Sequence, residues 1–232
     1  MVDLSIVIPV WADDVALERI LQELRTLQEL QSLDVEVVVV EAGGDDDQRL
    51  CDVQPIARMS VRKVTAVANR GAQIAAGIAL VRSDWIWVLH ADTQELAGAA
   101  SAMSQIVGSD RCWGRFDVRI PGLGAVAYMM NVRSRITKIC TGDQAMFFHT
   151  RLLEEVGGYP PQPLMEDVEL SKRLKAHSGA DFKACQIKII ASGRRWHRRG
   201  IARTILSMWS YRLRYFFGAD PTKLYEEYYQ HR

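Results

Sequence analysis

Val35-Glu-Val-Val-Val-Val40 is a short and almost entirely apolar run, and an earlier run of the same kind, Leu4-Ser-Ile-Val-Ile-Pro9, ends at a proline. Apolar runs without strict alternation are typical of strands that are covered on both faces. Between the two runs, apolar residues recur at the spacing of one helix face, at Leu17, Ile20, Leu21, Leu24 and Leu27. The order strand, helix, strand predicts a parallel sheet with a right-handed crossover.

The same alternation continues to about residue 110. A weaker strand is predicted over 61–65, a helix rich in glycine and alanine over 70–81, and a strand over 84–90. The small residues of the 70–81 helix predict that it packs closely on the sheet. The helix that follows the third strand carries Leu96, Ala100, Met103 and Val107.

The second half of the chain does not alternate in this way. Strands are predicted over 112–120 and 144–149, and helices over 151–156, 167–176 and 201–217. The sequence thus predicts one α/β domain, in which a mixed, mostly parallel central sheet is flanked by helices and followed by a helical C-terminal extension. Ligands of such sheets bind beyond the carboxyl ends of the strands, so the polar residues that follow each strand are candidate site residues.

The overall charge gives no indication of a nucleic-acid partner, because the 232 residues include 29 Lys and Arg against 28 Asp and Glu, for a formal net charge of +1. The charge is unevenly distributed, since no acid lies between Asp181 and Asp220. Such a basic segment indicates a phosphate-bearing partner, and the residues alone leave open whether this is a nucleotide, a lipid or a nucleic acid. Its arginines are Arg194, Arg195, Arg198, Arg199, Arg203, Arg212 and Arg214.

The cysteines and the apolar stretches of the sequence indicate where in the cell the protein is located. The four cysteines are far apart and form no C-x-x-C pair, which favours a reducing environment. The N-terminus lacks the basic and apolar regions of a signal peptide, and no apolar stretch is long enough to span a bilayer. We therefore expect a cytoplasmic protein, either soluble or peripheral on the inner face of the plasma membrane.

Acids follow two of the predicted strands. Asp92 ends the strand that contains two tryptophans. It either anchors a metal-bound diphosphate or caps the next helix together with Thr93. Glu41 follows the second strand, where it either accepts hydrogen bonds from a ribose hydroxyl or a base edge, or belongs to a solvated loop. For both acids the residue types alone leave two interpretations open.

A proline-rich turn precedes two adjacent acids, Glu166 and Asp167. Negative charge is favoured at a helix N-terminus, so these acids are candidates for helix capping. The functional interpretation is a general base, since transfer to an alcohol requires a carboxylate within reach of the hydroxyl proton.

The basic segment places Arg194, Arg195 and Trp196 next to His197, between two glycines. Arginine offers bidentate donors to phosphate, so this cluster either neutralises a diphosphate or forms a solvated turn. His197 is a candidate ligand of a metal or a phosphate. The helix over 201–217 combines basic and aromatic residues, which is typical of an interfacial helix on an anionic membrane but also fits a helix packed on the sheet or in a homodimer.

Taken together, these segments resemble the family 2 glycosyltransferases, which have the GT-A fold, and specifically the small bacterial subgroup known as arsenosugar-biosynthesis-like glycosyltransferases. The similarity covers nearly the whole chain and rests on the order and spacing of several short motifs. The matching stretches are Ser5-Ile-Val-Ile-Pro9, Glu41-Ala-Gly-Gly, Arg70-Gly-Ala-Gln73-Ile-Ala-Ala-Gly77, Leu89-His-Ala-Asp-Thr93, Gly142-Asp-Gln144, Val156-Gly-Gly-Tyr-Pro160, Leu164-Met-Glu-Asp-Val-Glu-Leu170 and Ser192-Gly-Arg-Arg-Trp196.

The resemblance implies an inverting transfer from a nucleoside-diphosphate sugar, with a UDP-sugar favoured, to the hydroxyl of an acceptor that it does not identify. It implies Mn²⁺ or Mg²⁺ as cofactor. Residues 1–110 would form the nucleotide-sugar-binding half, 111–200 the acceptor and catalytic half, and 201–232 the extension.

The resemblance also implies roles for individual residues. Asp92 would be the metal-binding acid of a D-x-D-like motif with His197 as a further candidate ligand, and Asp167 would be the catalytic base beside Glu166. Asp143 and Gln144 are expected on the acceptor side. The residues expected at the nucleotide sugar are Pro9, Val10, Glu41, Arg70, Gln73, Ala91, Asp92, Arg194, Arg195 and Trp196.

The chain departs from the family pattern at two positions, since His90 replaces the first aspartate of D-x-D and Glu41 stands where aspartate is usual. The turn after the first strand contains no glycine, which argues against a Rossmann-like methyltransferase and against a nucleotidyltransferase. A further alternative is a binding protein of the same fold that is catalytically weak or inactive and contacts a membrane.

Overall fold

The computed structural model describes residues 2–43, 51–56, 59–193 and 200–230. Within these ranges eight strands form one sheet with the order β3-β4-β2-β1-β5-β7-β6-β8. The strands are β1 Leu4–Val10, β2 Val35–Gly43, β3 Cys51–Ile56, β4 Met59–Val67, β5 Trp85–Val88, β6 Trp113–Arg119, β7 Phe147–His149 and β8 Phe182–Ile190.

The sheet has a parallel centre, an antiparallel edge strand β3 beside β4, and a mixed second half. The strands β4, β2, β1 and β5 are mutually parallel, with Leu4 opposite Val35 and Val10 opposite Glu41. The short strand β7 runs antiparallel to both β5 and β6, and β8 pairs in parallel with β6. The predicted mixed, mostly parallel sheet is therefore confirmed.

Helices cover both faces of this sheet and continue beyond it at the C-terminus. Two 3₁₀ turns, Gly142–Gln144 and Gly179–Asp181, complete the regular structure of the described residues. The helices are α1 Asp14–Thr26, α2 Gln28–Gln31, α3 Arg70–Ile78, α4 Ala97–Val107, α5 Gly124–Thr137, α6 Thr150–Glu155, α7 Glu166–Ser178, α8 Ile201–Phe216 and α9 Pro221–Gln230.

The alternation of β2 explains the two hydrophobic layers. Val37 and Val39 pack in the cluster that contains α1, α4 and α5, whereas Val38 and Val40 pack in the cluster that contains α3, α6 and α7. All four side chains have no exposed surface. The strand is thus covered on both faces, as its continuous apolar sequence predicts.

Glycines allow α3 to lie close to its neighbours. A Cβ atom at Gly77 would lie 2.7 Å from Val7 and 2.8 Å from Val40, so this side of the helix rests directly on the sheet. A Cβ atom at Gly71 would lie 2.1 Å from the backbone oxygen of Gln162 in the proline-rich loop before α7. Helix α3 therefore contacts both the parallel strands of the sheet and the loop that leads to Glu166 and Asp167.

Several elements differ from the sequence prediction. The strand predicted over 144–149 begins only at Phe147, because Thr141 and Gln144 form a capping box around a 3₁₀ turn. The helix predicted over 70–81 ends at Ile78. Five of the strands and α-helices in the described ranges were not predicted as separate elements, namely β3, α2, α5, β8 and α9.

The C-terminal helices pack on the site-bearing half and leave one apolar face in solvent. Tyr215 on α8 donates a hydrogen bond to Glu169 on α7 at 2.8 Å, and Tyr225 on α9 donates one to the backbone oxygen of Ala68 at 3.1 Å. No helix within the described ranges is both long and apolar enough to cross a bilayer. The large apolar side chains exposed on α8 and just after it are Ile201, Leu206, Trp209, Leu213, Phe216 and Phe217.

The contact at Gly71 predicts a stability effect. Gly71→Ala would press a methyl group against the Gln162 carbonyl, and we expect the free energy of unfolding to fall by about 1–3 kcal/mol, as overpacking does elsewhere. Gly124→Ala is the matched control, because it also lies in the first turn of a helix but has no atom within 4 Å of the added carbon. Urea unfolding measures both, and equal stability of the two variants would contradict the packing at Gly71.

Candidate active site

A cavity of about 1390 Å³ opens beyond the carboxyl ends of β1 and β5. Trp11 and Asp13 line it after β1, and His90 and Asp92 line it after β5. The other walls come from α5, from the start of α7 with Asp167, and from α8 and α9. The two acids expected to act on the metal and on the acceptor, Asp92 and Asp167, therefore face one shared cavity.

Three donors hold the carboxylate of Asp167. The backbone N–H of Val168 donates to Oδ1 at 2.7 Å, and the backbone N–H of Gly142 donates to Oδ2 at 2.8 Å. Arg70 Nη2 lies 3.5 Å from the same Oδ2. The side chain of Asp167 is 9% exposed and lines the cavity. The three donors fix the orientation of its carboxylate.

Glu166 points away from the cavity. Its side chain is 1% exposed and forms an ion pair with Arg70, whose guanidinium thus contacts both adjacent acids. Burial raises the pKa of Glu166, and the positive charge of Arg70 opposes that rise. Of the two acids, Asp167 is positioned to act on a ligand, whereas Glu166 positions Arg70.

His90 and Asp143 form a second polar contact at the cavity floor. Nδ1 of His90 lies 3.2 Å from Oδ1 of Asp143, which is half exposed at the turn after α5. A Cβ atom at Gly142 would lie 2.9 Å from His90 Nε2 and 3.1 Å from Arg70 Nη1. The glycine therefore allows both side chains to approach the turn that donates to Asp167.

The backbone is strained at several positions around the cavity. Ala12, Ala145 and Met165 have positive φ angles of 46°, 46° and 61°. Left-handed conformations are costly for residues with a side chain, at about 1–3 kcal/mol each, and they concentrate at functional sites. Met165 immediately precedes the two acids, so its conformation sets the direction in which α7 begins.

Two glutamines expected at the ligand have buried, internal contacts instead. Gln73 is 2% exposed, and its Nε2 donates to the backbone oxygens of Val10 and Val40 at 2.8 Å each. It thereby joins the ends of β1 and β2. Gln144 has no exposed surface and bonds to Thr141 and Ser134, so it supports the turn that carries Asp143 rather than the acceptor side of the cavity.

The remaining residues expected at the nucleotide lie at strand ends or outside the described ranges. Val10 and Ala91 are buried, and Pro9 is partly buried near the end of β1. Glu41 is half exposed at the end of β2, where its Oε1 lies 3.2 Å from Lys63 Nζ. The residues that fall outside the described ranges are Arg194, Arg195, Trp196 and His197.

The described residues contain no group of three or more His, Cys, Asp or Glu side chains arranged to hold a metal. Asp92 lines the cavity as a carboxylate that follows β5, whereas Asp13, which follows β1, caps α1 through the backbone N–H of Ala16. Mg²⁺ and Mn²⁺ are often held by one or two carboxylates together with phosphate oxygens. The position of Asp92 therefore fits a metal that is completed by a diphosphate, without a cage built from protein ligands.

Several cavity residues have no counterpart in the sequence prediction. Trp11 stacks on Tyr229 with ring centroids 5.8 Å apart, which brings α9 to the rim next to β1. Arg133 on α5 and Arg212 on α8 also line the cavity. Arg212 belongs to the acid-free basic segment noted in the sequence, whereas Arg133 belongs to a helix that the sequence did not predict.

The fold matches solved structures with low sequence identity. TarS from S. aureus, in a structure with UDP-GlcNAc, gives a TM-score of 0.61 at 15% identity, covering 83% of this chain and 58% of that one. The mannosyltransferase PcManGT from Pyrobaculum calidifontis, in complex with GDP-Man and Mn²⁺, gives 0.60 at 15% identity, covering 82% and 56%. Glucosyl-3-phosphoglycerate synthase from M. tuberculosis, with Mg²⁺ and UDP, gives 0.53 at 13% identity, covering 81% and 69%.

These similarities establish that the chain has the GT-A fold of nucleotide-diphospho-sugar transferases. The chain spans about 60% of the length of the TarS and mannosyltransferase structures that it matches. No protein-family model matches the sequence, and a search of curated proteins finds no match.

The contact between Arg70 and Glu166 predicts a pH-dependent stability effect. In Arg70→Gln the charge that opposes the raised pKa of Glu166 is lost, so this pKa rises further. A group whose pKa is higher in the folded state stabilises the fold fully below its unfolded pKa, and this contribution is lost as the pH rises through the folded pKa. Arg70→Gln should therefore be destabilised by up to about 3 kcal/mol at pH 8, and by less at pH 5.

Urea unfolding at the two pH values measures this difference. Arg111→Gln is the control, since it removes an exposed ion pair with Glu155 and should change stability little at either pH. A loss in Arg70→Gln that is as large at pH 5 as at pH 8 would contradict the assigned pairing.

Proposed function

We propose that the protein is an inverting glycosyltransferase that moves a sugar from a nucleoside-diphosphate sugar to an acceptor hydroxyl. The observation that carries the proposal is the common cavity of Asp92 and Asp167 at the carboxyl ends of the strands in a GT-A fold. A UDP-sugar is the favoured donor. TarS in complex with UDP-GlcNAc and the M. tuberculosis synthase in complex with UDP and Mg²⁺ support this choice, while GDP-Man in the mannosyltransferase makes GDP the alternative nucleotide.

Asp167 is the proposed base. Its carboxylate takes the proton of the acceptor hydroxyl as that oxygen attacks the anomeric carbon, and the bond from this carbon to the diphosphate oxygen breaks with its electron pair going to the diphosphate. Attack on the face opposite the leaving group inverts the configuration. The donors from Gly142, Val168 and Arg70 keep the carboxylate aimed at the cavity, so its positioning is already made before an acceptor binds.

The leaving diphosphate requires compensation of its negative charge. Mn²⁺ or Mg²⁺ held by Asp92 would supply it when bound. We further propose that His197 is a second ligand of the metal. The residues proposed to contact the diphosphate are Arg194, Arg195 and Trp196. Glu41 is proposed to contact the nucleoside.

We also propose that the chain belongs to family 2 of the glycosyltransferases. The short motifs from Ser5 to Trp196 support membership of family 2 and of the arsenosugar-biosynthesis-like subgroup. A catalytically inactive binding protein of the same fold is the alternative, and it predicts nucleotide binding without turnover.

Two substitutions separate donor binding from chemistry. Asp92→Asn should remove the part of nucleotide binding that depends on Mn²⁺, seen as a smaller rise of the melting temperature with UDP and Mn²⁺ than in the wild-type protein. Asp167→Asn should keep that rise but lower UDP release from UDP-sugars by about 10²–10⁴-fold, because it removes a general base.

Asp181→Asn is the matched control, since Asp181 is exposed after α7 and does not line the cavity. It should behave as the wild-type protein in both assays. Substantial turnover in Asp167→Asn would refute the assigned base. A wild-type protein that responds to neither UDP nor GDP would refute the donor class.

Peripheral membrane contact through α8 is a second part of the proposal. Leu206, Trp209, Leu213 and Phe216 recur at helical spacing and are each at least 60% exposed. The acid-free segment that includes α8 supplies the positive charge that anionic lipid attracts. We expect this face to lie in the interface of an anionic bilayer.

Flotation with vesicles that contain phosphatidylglycerol tests the membrane contact. The double variant Trp209→Ser with Phe216→Ser should bind at least about tenfold more weakly, because it removes two large side chains from the bilayer. Val15→Ser is the control, since Val15 is 82% exposed on α1. A wild-type protein that stays unbound, or a double variant that floats equally well, would exclude this contact.

A further inference from the structure

Two arginines in the cavity wall have buried donors without partners. Arg133 is on α5 and Arg212 is on α8, and both line the cavity. Arg133 Nη2 and Arg212 Nε are each buried and have no hydrogen-bond partner. A buried donor left unpaired costs about 1–3 kcal/mol, and more when it is charged, so such groups call for an explanation.

Arg62 and Arg115 are more deeply buried, and each also has an unpaired Nε, but both have acidic partners. Arg62 pairs with Glu36 at 2.6 Å, and Arg115 pairs with Asp117. In the part of the chain that the structure describes, Arg133 and Arg212 form no ion pair within 4.0 Å. Arg133 and Arg212 thus differ from Arg62 and Arg115 in having no carboxylate of the described residues in direct contact.

The two guanidinium groups also act on one another. Burial, and then the positive charge of Arg212, lower the pKa of Arg133 to about 10. This value leaves Arg133 cationic at neutral pH. Two like charges thus line one cavity, where their repulsion would be relieved by an anion that binds to both.

The position of the pair points to the acceptor rather than to the donor. Arg133 precedes Ser134, whose Oγ accepts a hydrogen bond from Gln144 at 2.9 Å. The same turn carries Gly142, whose backbone N–H donates to Asp167, the proposed base. The negative charge of Asp167 opposes the lowering of the pKa of Arg133. Cys140 is joined to α7 through Ser171, which donates its hydroxyl to the backbone oxygen of Asp167. Arg133 thus lies on the side of the cavity where the attacking hydroxyl would meet its base.

We propose that Arg133 and Arg212 bind a phosphate or carboxylate group of the acceptor, so that the natural acceptor is an anion. This inference rests on the proposed function and extends it to the substrate class. Planar guanidinium groups bind both anions through paired hydrogen bonds, and an anion held here would fix the acceptor hydroxyl relative to Asp167.

The experiment uses inorganic phosphate as the probe and the full chain saturated with UDP and Mg²⁺, so that the diphosphate position is already filled. Isothermal titration calorimetry should show one phosphate bound per chain. Arg133→Gln and Arg212→Gln should each weaken this binding by about tenfold or more, as expected for loss of a charge-assisted contact. Their affinity for UDP should stay within about threefold of the wild-type value.

Arg203→Gln is the matched control, because it removes the same charge from α8 at an exposed position outside the cavity. It should leave phosphate binding unchanged. Melting temperatures show whether each variant is folded, and if one arginine variant fails to fold, the other carries the same test from a different helix.

Several results would overturn the inference. They are the absence of phosphate binding in the presence of UDP, a loss of UDP affinity in the two variants that matches their loss of phosphate affinity, and an equal loss in Arg203→Gln. The second result would assign the pair to the donor diphosphate. If UDP and GDP do not bind the wild-type chain, the glycosyltransferase proposal and the acceptor assignment fall together, whereas phosphate binding lost in Arg133→Gln would still support the anion site itself.

Discussion

The ion pair between Arg70 and Glu166 joins the two halves of the molecule at the site. Arg70 begins α3, which Gln73 ties to the ends of β1 and β2, and Glu166 begins α7. A carboxylate as deeply buried as Glu166 is stabilised by a cationic partner, and the ion pair with Arg70 brings α3 and α7 together at this point. Asp167 is the next residue of α7, so this contact also fixes its position. The geometry of the cavity thus depends on a buried charge that never faces it.

The sequence predicted the parallel half of the fold well because its strands are covered on both faces. The valines of β2 form one apolar run, and the run does not show the spacing of an amphipathic helix. The edge strand β8 lacks this signal, since Lys183 and Lys188 interrupt it and most of its side chains are partly or fully exposed. Helix α5 was missed for the opposite reason. Tyr128, Met129 and Ile136 are apolar but exposed, while Asn131 and Ser134 are polar but buried, so its apolar residues do not mark the buried face.

The site residues also differ in how far the sequence predicts their positions. Asp92 could be located from the sequence because the end of a buried parallel strand is a position that the fold itself defines. Adjacent helical residues point about 100° apart, so the residue types indicated an acid at 166–167 without showing which one faces the cavity, and only the resemblance assigned the role to Asp167. Packing against Arg70 decides this for Asp167. Arg133 and Arg212 are distant in the chain, and only the packing of α5 and α8 on a common cavity brings them together.

Helix α8 has two different faces, and its contacts relate them. Thr204, Met208 and Arg212 recur every four residues and line the cavity, while Leu206 and Leu213 are exposed. Tyr215 bonds to Glu169 on α7, and Arg214 pairs with Glu227 on α9, which holds the helix at both sides. Because Glu169 lies half a turn after Asp167, the same helix that carries the proposed base also fixes the helix that carries Arg212. The distance between the proposed base and Arg212 is therefore set within one packed unit, independently of what covers the exposed face of α8.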